Sequence, residues 1–162
     1  MLIILLRHGI AEDKVAGKPD EERHLTRDGN EKMKRVAKAL AKLFPDAGAI
    51  YSSPLVRAYE TAEWVAKAYD GKLDVETTAA LAPGHDPAEF RDLLRRGGAK
   101  ECAYYTGHEP HLTALMLALT NIRSGADLSL KKGGCYGLEL DAPTSPARLR
   151  FMLAPGLLHP SS

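Results

Sequence analysis

The chain has 162 residues, and its 22 lysines and arginines against 21 aspartates and glutamates give a net charge of +1. That length suits one ordinary domain that buries a full core without disulfides or a metal. The near-neutral charge excludes a general attraction to nucleic acid or anionic lipid, so any anion binding must come from local geometry. No apolar run approaches the length of a membrane span. We therefore expect a single soluble domain over residues 1–162, with neither a nucleic-acid nor a membrane partner.

The cysteines indicate the compartment. Cys102 and Cys135 lack metal-ligand spacing, and two thiols make a poor disulfide framework for a chain of this size. The first apolar run, residues 2–6, is shorter than the hydrophobic region of a signal peptide and has no basic stretch before it. These features predict reduced thiols and a cytoplasmic location.

The first predicted strand, residues 2–6, ends in Arg7, His8 and Gly9. An all-apolar strand suits a sheet covered on both faces, and ligands of such α/β sheets bind beyond the carboxyl ends of the strands. Arginine offers a fixed cationic fork, histidine a nucleophile or proton carrier near neutral pH, and glycine a close backbone approach. By itself, the triplet also fits a solvated loop.

A helix is predicted between Thr26, a favourable N-cap, and Pro45, because apolar residues recur there at helical spacing. The acidic segment before it, residues 12–22, is predicted to be a surface loop at the rim of the site. The opposite face of the helix is basic, with Lys32, Lys34, Arg35, Lys38 and Lys42. That face fits an acidic partner, a membrane surface or plain solvent. The lack of bulky aromatic residues among the lysines favours solvent.

The second predicted strand, residues 49–52, leads directly into a helix with Pro54 in its first turn. Arg57 is thereby placed near a helix N-terminus at the carboxyl end of a strand, where free N–H groups and the helix dipole favour an anion. An ion pair with Glu60 or Glu63 on the helix surface explains Arg57 equally well.

The remaining predicted elements alternate until the last two, which are expected to form an antiparallel edge pair. They are, in order, strand 73–81, turn-rich loop 82–87, helix 88–96 ending at Gly97-Gly98, strand 102–106, an apolar helix from Pro110, and strands 134–140 and 148–153. The tail from about residue 155 is expected to fray.

Three predicted strand ends present Arg7 with His8, then Arg57, and then His108. Two arginines and two histidines at one edge of a sheet form a pocket for a tetrahedral dianion. The arginines should lower the pKa of His8 and keep it neutral and nucleophilic, with its second nitrogen held, for example, by a backbone carbonyl. His108 and the arginines would stabilise the charge on a phosphoryl group during transfer.

Several motifs together resemble the histidine phosphatase superfamily, whose fold is phosphoglycerate mutase-like. They are Leu5-Leu6-Arg7-His8-Gly9, Leu25-Thr26 with Gly29, Ser52-Ser53-Pro54 with Arg57-Ala58 and Thr61-Ala62, and Gly107-His108. The resemblance implies a three-layer α/β/α sandwich around a mixed, mostly parallel sheet, with no metal and no organic cofactor. It also implies transient phosphorylation of His8. Phosphate would be bound by Arg7, Arg57, His108 and the backbone at Gly9.

Within that superfamily the chain is most similar to the short SixA-type phosphohistidine phosphatases, because no long helical insertion separates Arg57 from His108. An uncapped pocket suits a phosphorylated protein surface. A histidine leaving group, with a pKa of about 6.5, also needs less help from an acid than an alkoxide does. Mutase-like members place a glutamate after the third strand, where this chain offers only Asp86 and His85 as candidate general acids. A turn-shaping role suits both residues better.

The sequence therefore predicts a monomeric phosphohistidine phosphatase that acts on a histidine-phosphorylated protein in signal transduction. One alternative is a phosphomonoesterase of a small metabolite, for which Asp86 or another acid must protonate the leaving oxygen. The other is a non-catalytic module that recognises phosphate or a phosphoprotein, which would need the arginines but not the nucleophile.

Overall fold

A computed structural model describes residues 1–97, 100–124 and 127–158. Strands and helices alternate along most of the described chain. They are β1 (Leu2–Arg7), α1 (Arg27–Leu43), β2 (Ala49–Ser52), α2 (Val56–Ala68), β3 (Val75–Thr77), α3 (Pro87–Arg96), β4 (Cys102–Gly107), α4 (His111–Leu119), β5 (Cys135–Glu139), β6 (Arg148–Leu153) and α5 (Pro155–Leu158). Two short 3-10 helices, Asp20–Glu22 and Ala79–Leu81, lie in the loops. None of the described helices is long and apolar enough to cross a membrane.

The strands form one mixed sheet in the order β3–β2–β4–β1–β5–β6. The first four strands in this order are parallel, whereas β5 runs antiparallel to both of its neighbours. The predicted antiparallel edge pair and mostly parallel sheet are thereby confirmed.

Side chains of β1 alternate between two cores, as expected for a central strand. Ile3 and Leu5 enter the core on the α3 and α4 side of the sheet, and Ile4 and Leu6 enter the core on the α1 and α2 side. All four side chains are fully buried. Helices therefore cover both faces of the sheet, which makes the predicted three-layer sandwich.

The first turn of α1 is built around Thr26 and Gly29. The Thr26 hydroxyl oxygen accepts from the Gly29 backbone N–H at 3.0 Å, which is the predicted N-cap. A side chain at Gly29 would place its Cβ 2.1 Å from the carbonyl oxygen of Ile10. Only glycine lets the helix start this close to the segment after Gly9, which gives the Leu25-Thr26 and Gly29 motif a packing reason.

The predicted third strand is too long. It runs only over Val75–Thr77, because the Thr78 hydroxyl oxygen accepts from the Ala80 backbone N–H and the chain turns there into the 3-10 helix Ala79–Leu81. That turn buries Leu81 in the core.

Two helix boundaries also differ from the prediction. Pro54 precedes α2, which begins at Val56 after Leu55 as N-cap. Residues Pro155–Leu158 do not fray but form α5, because the Leu158 side chain packs into the core beside α1. Residues 159–162, and Gly98 in the predicted Gly97-Gly98 helix end, lie outside the described residues.

Candidate active site

The two histidine motifs meet at the centre of the sheet. β1 and β4 are parallel neighbours with Arg7 opposite Gly107, and the His8 backbone N–H donates to the Gly107 carbonyl at 3.0 Å. His8 and His108 therefore each follow the last residue of adjacent strands, at the same level along the strand direction. Their ring centroids are 5.2 Å apart.

The structure brings all four predicted site residues to this edge. His8 is 7% exposed, Arg57 4% and His108 3%. The charges of both Arg7 and Arg57 act on His8. Burial makes each of these charges and hydrogen bonds stronger than it would be in water.

The orientation of His8 is set by the backbone. Its Nδ1 lies 2.7 Å from the Gly9 carbonyl oxygen, and because a carbonyl only accepts, Nδ1 carries the proton of the neutral ring. The lone pair is then on Nε2. Gly9 is held in turn, since its N–H donates to the Thr61 hydroxyl at 3.1 Å and that hydroxyl donates to the Arg57 carbonyl at 2.8 Å. The hydrogen bond from His8 Nδ1 to the Gly9 carbonyl is of the kind that the sequence suggested for the second nitrogen of His8.

The pKa of His8 is lowered to about 4, mainly because burial disfavours the charged ring. The hydrogen bond to Gly9 opposes this shift, and Arg57, Arg7 and Lys132 add to it. The predicted direction is correct, but burial has a larger effect on this pKa than the arginines do. His8 is therefore neutral near pH 7.

The His108 ring is held by Ser53, which follows β2. Its Nε2 lies 2.8 Å from the Ser53 hydroxyl oxygen, which also accepts from the Leu55 backbone N–H at 3.2 Å. Burial lowers the pKa of His108 to about 3, and the neighbouring His8 and Arg57 contribute to the shift. His108 is thus a second neutral imidazole. When the Ser53 hydroxyl donates to Nε2, Nδ1 carries the proton and can donate to a ligand.

Buried polar atoms without partners concentrate in these motifs. Among the described residues, the buried side-chain nitrogen and oxygen atoms with no hydrogen-bond partner are Arg7 Nε, Arg57 Nε, His108 Nδ1 and Glu109 Oε1. Buried polar groups are nearly always paired, so unpaired ones need an explanation. Three of the four belong to the predicted phosphate ligands, and an oxyanion would satisfy them.

The loop before α1 reaches the site through Asp20. The Arg57 guanidinium donates to the Asp20 carbonyl at 2.9 Å and to its carboxylate at 3.1 Å, and Arg23 donates to the same carboxylate at 2.9 Å. Burial alone would raise the pKa of Asp20, but Arg57 and Arg23 outweigh it and lower that pKa. Arg57 thus pairs with the rim loop, whereas Glu60 accepts from the Leu25 backbone N–H.

The two candidate general acids shape the start of α3. The Asp86 carboxylate accepts from the Ala88 backbone N–H at 2.8 Å as the N-cap, and His85 lies 3.0 Å from the Glu89 carboxylate. The turn-shaping interpretation therefore describes what both side chains do here. A role for either residue in proton transfer stays a prediction of the esterase alternative.

Glu109, which directly follows His108, was not singled out by the sequence. Its Oε2 accepts from the Thr113 hydroxyl at 2.7 Å, and that hydroxyl also contacts the Tyr136 hydroxyl at 2.9 Å. Burial raises the pKa of Glu109, although Thr113 and Arg7 oppose this. An acidic residue beside a predicted site histidine was the signal that could have identified it. The family resemblance included Thr61, and the predicted rim loop included Asp20, but the sequence assigned neither residue a contact, and it did not point to Lys132.

Comparison with known proteins agrees with this geometry. Residues 3–83 match the family model described as the histidine phosphatase superfamily (branch 1). An uncharacterised protein of Picosynechococcus is 35% identical over 144 residues, which span 88% of this chain and 87% of that protein.

Two solved structures share the fold. The protein histidine phosphatase SixA complexed with tungstate superposes with a TM-score of 0.81, covering 98% of this chain and 99% of that one at 22% identity. A mycobacterial glucosyl-3-phosphoglycerate phosphatase superposes with a TM-score of 0.75, covering 94% of this chain and 98% of that one at 20% identity.

Proposed function

Because the chain belongs to the histidine phosphatase superfamily (branch 1), we propose that it is a phosphohistidine phosphatase that forms a phosphoenzyme at His8. Membership makes the chain a phosphatase, and so a hydrolase. The single observation that carries the proposal is the neutral His8, whose Nδ1 is tied to the Gly9 carbonyl while Nε2 keeps its lone pair. A binding module would need no such nucleophile.

In the first step, His8 Nε2 attacks the phosphorus atom of the substrate. The new P–N bond forms as the bond between phosphorus and the substrate histidine breaks, and the electron pair leaves with that imidazole, which takes up a proton. The Arg7 and Arg57 guanidinium groups and the His108 ring donate to the equatorial oxygens and stabilise their charge. Water then attacks phospho-His8, the P–N bond breaks, and inorganic phosphate is released with His8 restored.

The leaving group supports phosphohistidine as the substrate. Imidazole departs without a strong acid, whereas an alkoxide needs a positioned proton donor. The two sequence candidates, Asp86 and His85, are both engaged at the start of α3. The fold shared with a protein histidine phosphatase points in the same direction. A phosphorylated protein as partner, a monomeric state and a cytoplasmic location remain parts of this proposal.

One observation favours the second candidate, a phosphomonoesterase of a small metabolite. The half-buried Glu109 has a raised pKa, so it holds a proton more readily than an exposed glutamate, and it lies close enough to interact with Arg7. A protonated carboxyl group is what an ester leaving group needs. Glu109, rather than Asp86, is then the acid to test.

The test is kcat/KM on a phosphohistidine-bearing protein and on p-nitrophenyl phosphate, each with His8→Ala beside the wild type. A strong preference for phosphohistidine, lost in the variant, supports the proposal. Equal or faster turnover of the ester would move the assignment to the phosphomonoesterase. Phosphate release that persists in a correctly folded His8→Ala variant would reject the phosphoenzyme altogether.

A further inference from the structure

A groove lies beside the candidate site, along α1. It has a volume of about 680 Å³ and shares Arg7 and Gly9 with the pocket. Its lining is mainly apolar, with Ile10 and Pro155 partly exposed and the buried side chains of Met33 and Val36 of α1 lying beneath them. The charged residues of its lining, within the described part of the chain, are Arg7, Lys32, Lys131 and Lys132. We call this the basic groove.

Two of these lysines sit on a turn that is fastened to the catalytic motif. The Gly133 backbone N–H lies 3.2 Å from the carbonyl oxygens of both Arg7 and His8, and the Arg7 N–H donates to the Gly134 carbonyl at 2.9 Å. Gly133 has a φ of 83°. A Cβ there would come within 3.0 Å of the Met33 sulfur, so the turn packs closely on the buried Met33 of α1. The positions of Lys131 and Lys132 are therefore tied to that of His8.

The charge of the basic groove is a local feature. The whole chain carries a net charge of only +1, yet every charged residue that lines the groove in the described ranges is cationic. Lys132 is close enough for its charge to act on His8. Lys32 pairs with the exposed Asp28 at 3.1 Å on the same helix, a contact that solvent screens and a ligand carboxylate can replace. Of the residues on the basic face of α1, Lys32 borders the groove.

We infer that the basic groove binds an acidic segment of the phosphorylated protein, next to the phosphohistidine held at His8. Carboxylates of that segment would meet Lys32 and Lys131, and its apolar side chains would lie on the part-exposed Ile10 and Pro155. Leu157, which follows the lining residues Pro155 and Gly156 in α5, is a further apolar side chain that is 73% exposed. A polypeptide can use that mixture of apolar lining and cationic rim in a groove of this volume. The inference rests on the proposed function and adds to it the charge of the substrate surface.

The experiment uses two synthetic phosphohistidine peptides that differ only in their flanking residues, which are Asp and Glu in one and Asn and Gln in the other. We expect the wild-type enzyme to prefer the acidic peptide by about tenfold in kcat/KM, mainly through KM. The variant Lys32→Glu/Lys131→Glu should abolish or invert that preference and change turnover of the amide peptide by less than about twofold. Lys132 is not substituted in this variant, because its charge acts on His8.

The matched control is Lys34→Glu/Lys38→Glu, which makes the same charge change at exposed positions of α1 that do not line the groove. A preference that survives in the groove variant, or an equal loss in the control, would overturn the inference. So would a matching loss for 3-phosphoglycerate, because the groove would then serve the second anionic group of a metabolite.

Failure of the proposed function is a separate result. If the wild type hydrolyses neither phosphohistidine peptide, the substrate assignment fails. The groove is then tested by fluorescence anisotropy with the labelled, unphosphorylated acidic peptide. Binding that is lost in the groove variant and kept in the control would support the groove. No binding to the wild type would reject it.

Discussion

Two four-residue segments of the chain, 84–87 and 107–110, share one pattern: a glycine, a histidine, an acidic residue and a proline. The two segments have different surroundings in the structure. In residues 84–87, which follow the 3-10 helix after β3, the histidine pairs with Glu89 and the acid caps α3 at the surface. In residues 107–110, at the end of β4, the histidine is buried beside His8 and the acid is half-buried near Arg7.

The neighbours of each strand explain the difference. β3 is a three-residue strand at the edge of the sheet, so the loop that follows it is open to solvent. β4 lies between β2 and β1, which bring Ser53 to one side of His108 and His8 to the other. The same four residue types thus shape a turn at the edge and form a candidate site at the centre.

The sharpest test of this comparison replaces one histidine from each setting. We expect His8→Ala, at the central edge, to lower kcat/KM on a phosphohistidine protein by about 10³-fold or more, because the nucleophile is lost. His85→Ala should change it by less than about twofold. Steady-state kinetics with a circular dichroism check on folding measures both. A large loss for His85→Ala would mean that the edge loop belongs to the site.

The second test addresses the partner of His8. His108→Ala should reduce kcat by about 10²-fold, since it removes one donor to the transferring phosphoryl group. Ser53→Ala should give a smaller reduction, because Ser53 acts only by orienting His108. Measuring kcat and KM separately distinguishes this from weaker substrate binding. Equal effects of the two variants would contradict a direct role for His108 and an orienting role for Ser53.

The buried histidines also predict how stability depends on pH. The folded pKa values of His8 and His108, about 4 and about 3, lie below the unfolded value of 6.5. Between those values the unfolded chain binds more protons, so the free energy of unfolding falls as the pH drops below 6.5. From pH 6.5 to 5 we expect a loss of about 2 kcal/mol for each histidine.

Urea unfolding at several pH values measures that slope. His108→Asn should make it shallower, because one of the two buried groups no longer titrates. An unchanged slope in this variant would mean that His108 does not contribute to the pH dependence.

The smallest expected effect is at the edge loop itself. Asp86→Ala removes the N-cap of α3 and should lower the free energy of unfolding by about 1 kcal/mol. Turnover of both phosphohistidine and p-nitrophenyl phosphate should stay unchanged, as measured at a temperature where the variant is folded. A selective loss of ester hydrolysis would identify Asp86 as the general acid. Glu109→Gln is the companion variant, and we expect it to affect ester hydrolysis more than Asp86→Ala does.

Much of this architecture was predictable from local sequence. The apolar run before Arg7 implied a central strand, the Thr26 cap and the 3.6-residue periodicity implied α1, and the order of motifs placed His8, Arg57 and His108 at one sheet edge. These predictions depend on short-range rules of burial and capping, so no tertiary contact is needed to make them. The predicted length of β3 and the predicted fraying of the residues that form α5 were wrong for the opposite reason. Leu81 and Leu158 are buried only by elements that are distant in the sequence.

Only the tertiary structure decided the hydrogen bonds and the protonation states of the site residues. The ties from Thr61 to Gly9, from Asp20 to Arg57 and from Ser53 to His108 join residues 37 to 55 positions apart, and no sequence periodicity encodes such contacts. Burial, more than the arginines, lowers the pKa of His8, and burial is a property of the packed sheet. The sequence alone therefore determined which residues are the candidates for the chemistry. Packing determined their protonation, their orientation and the cationic groove beside them.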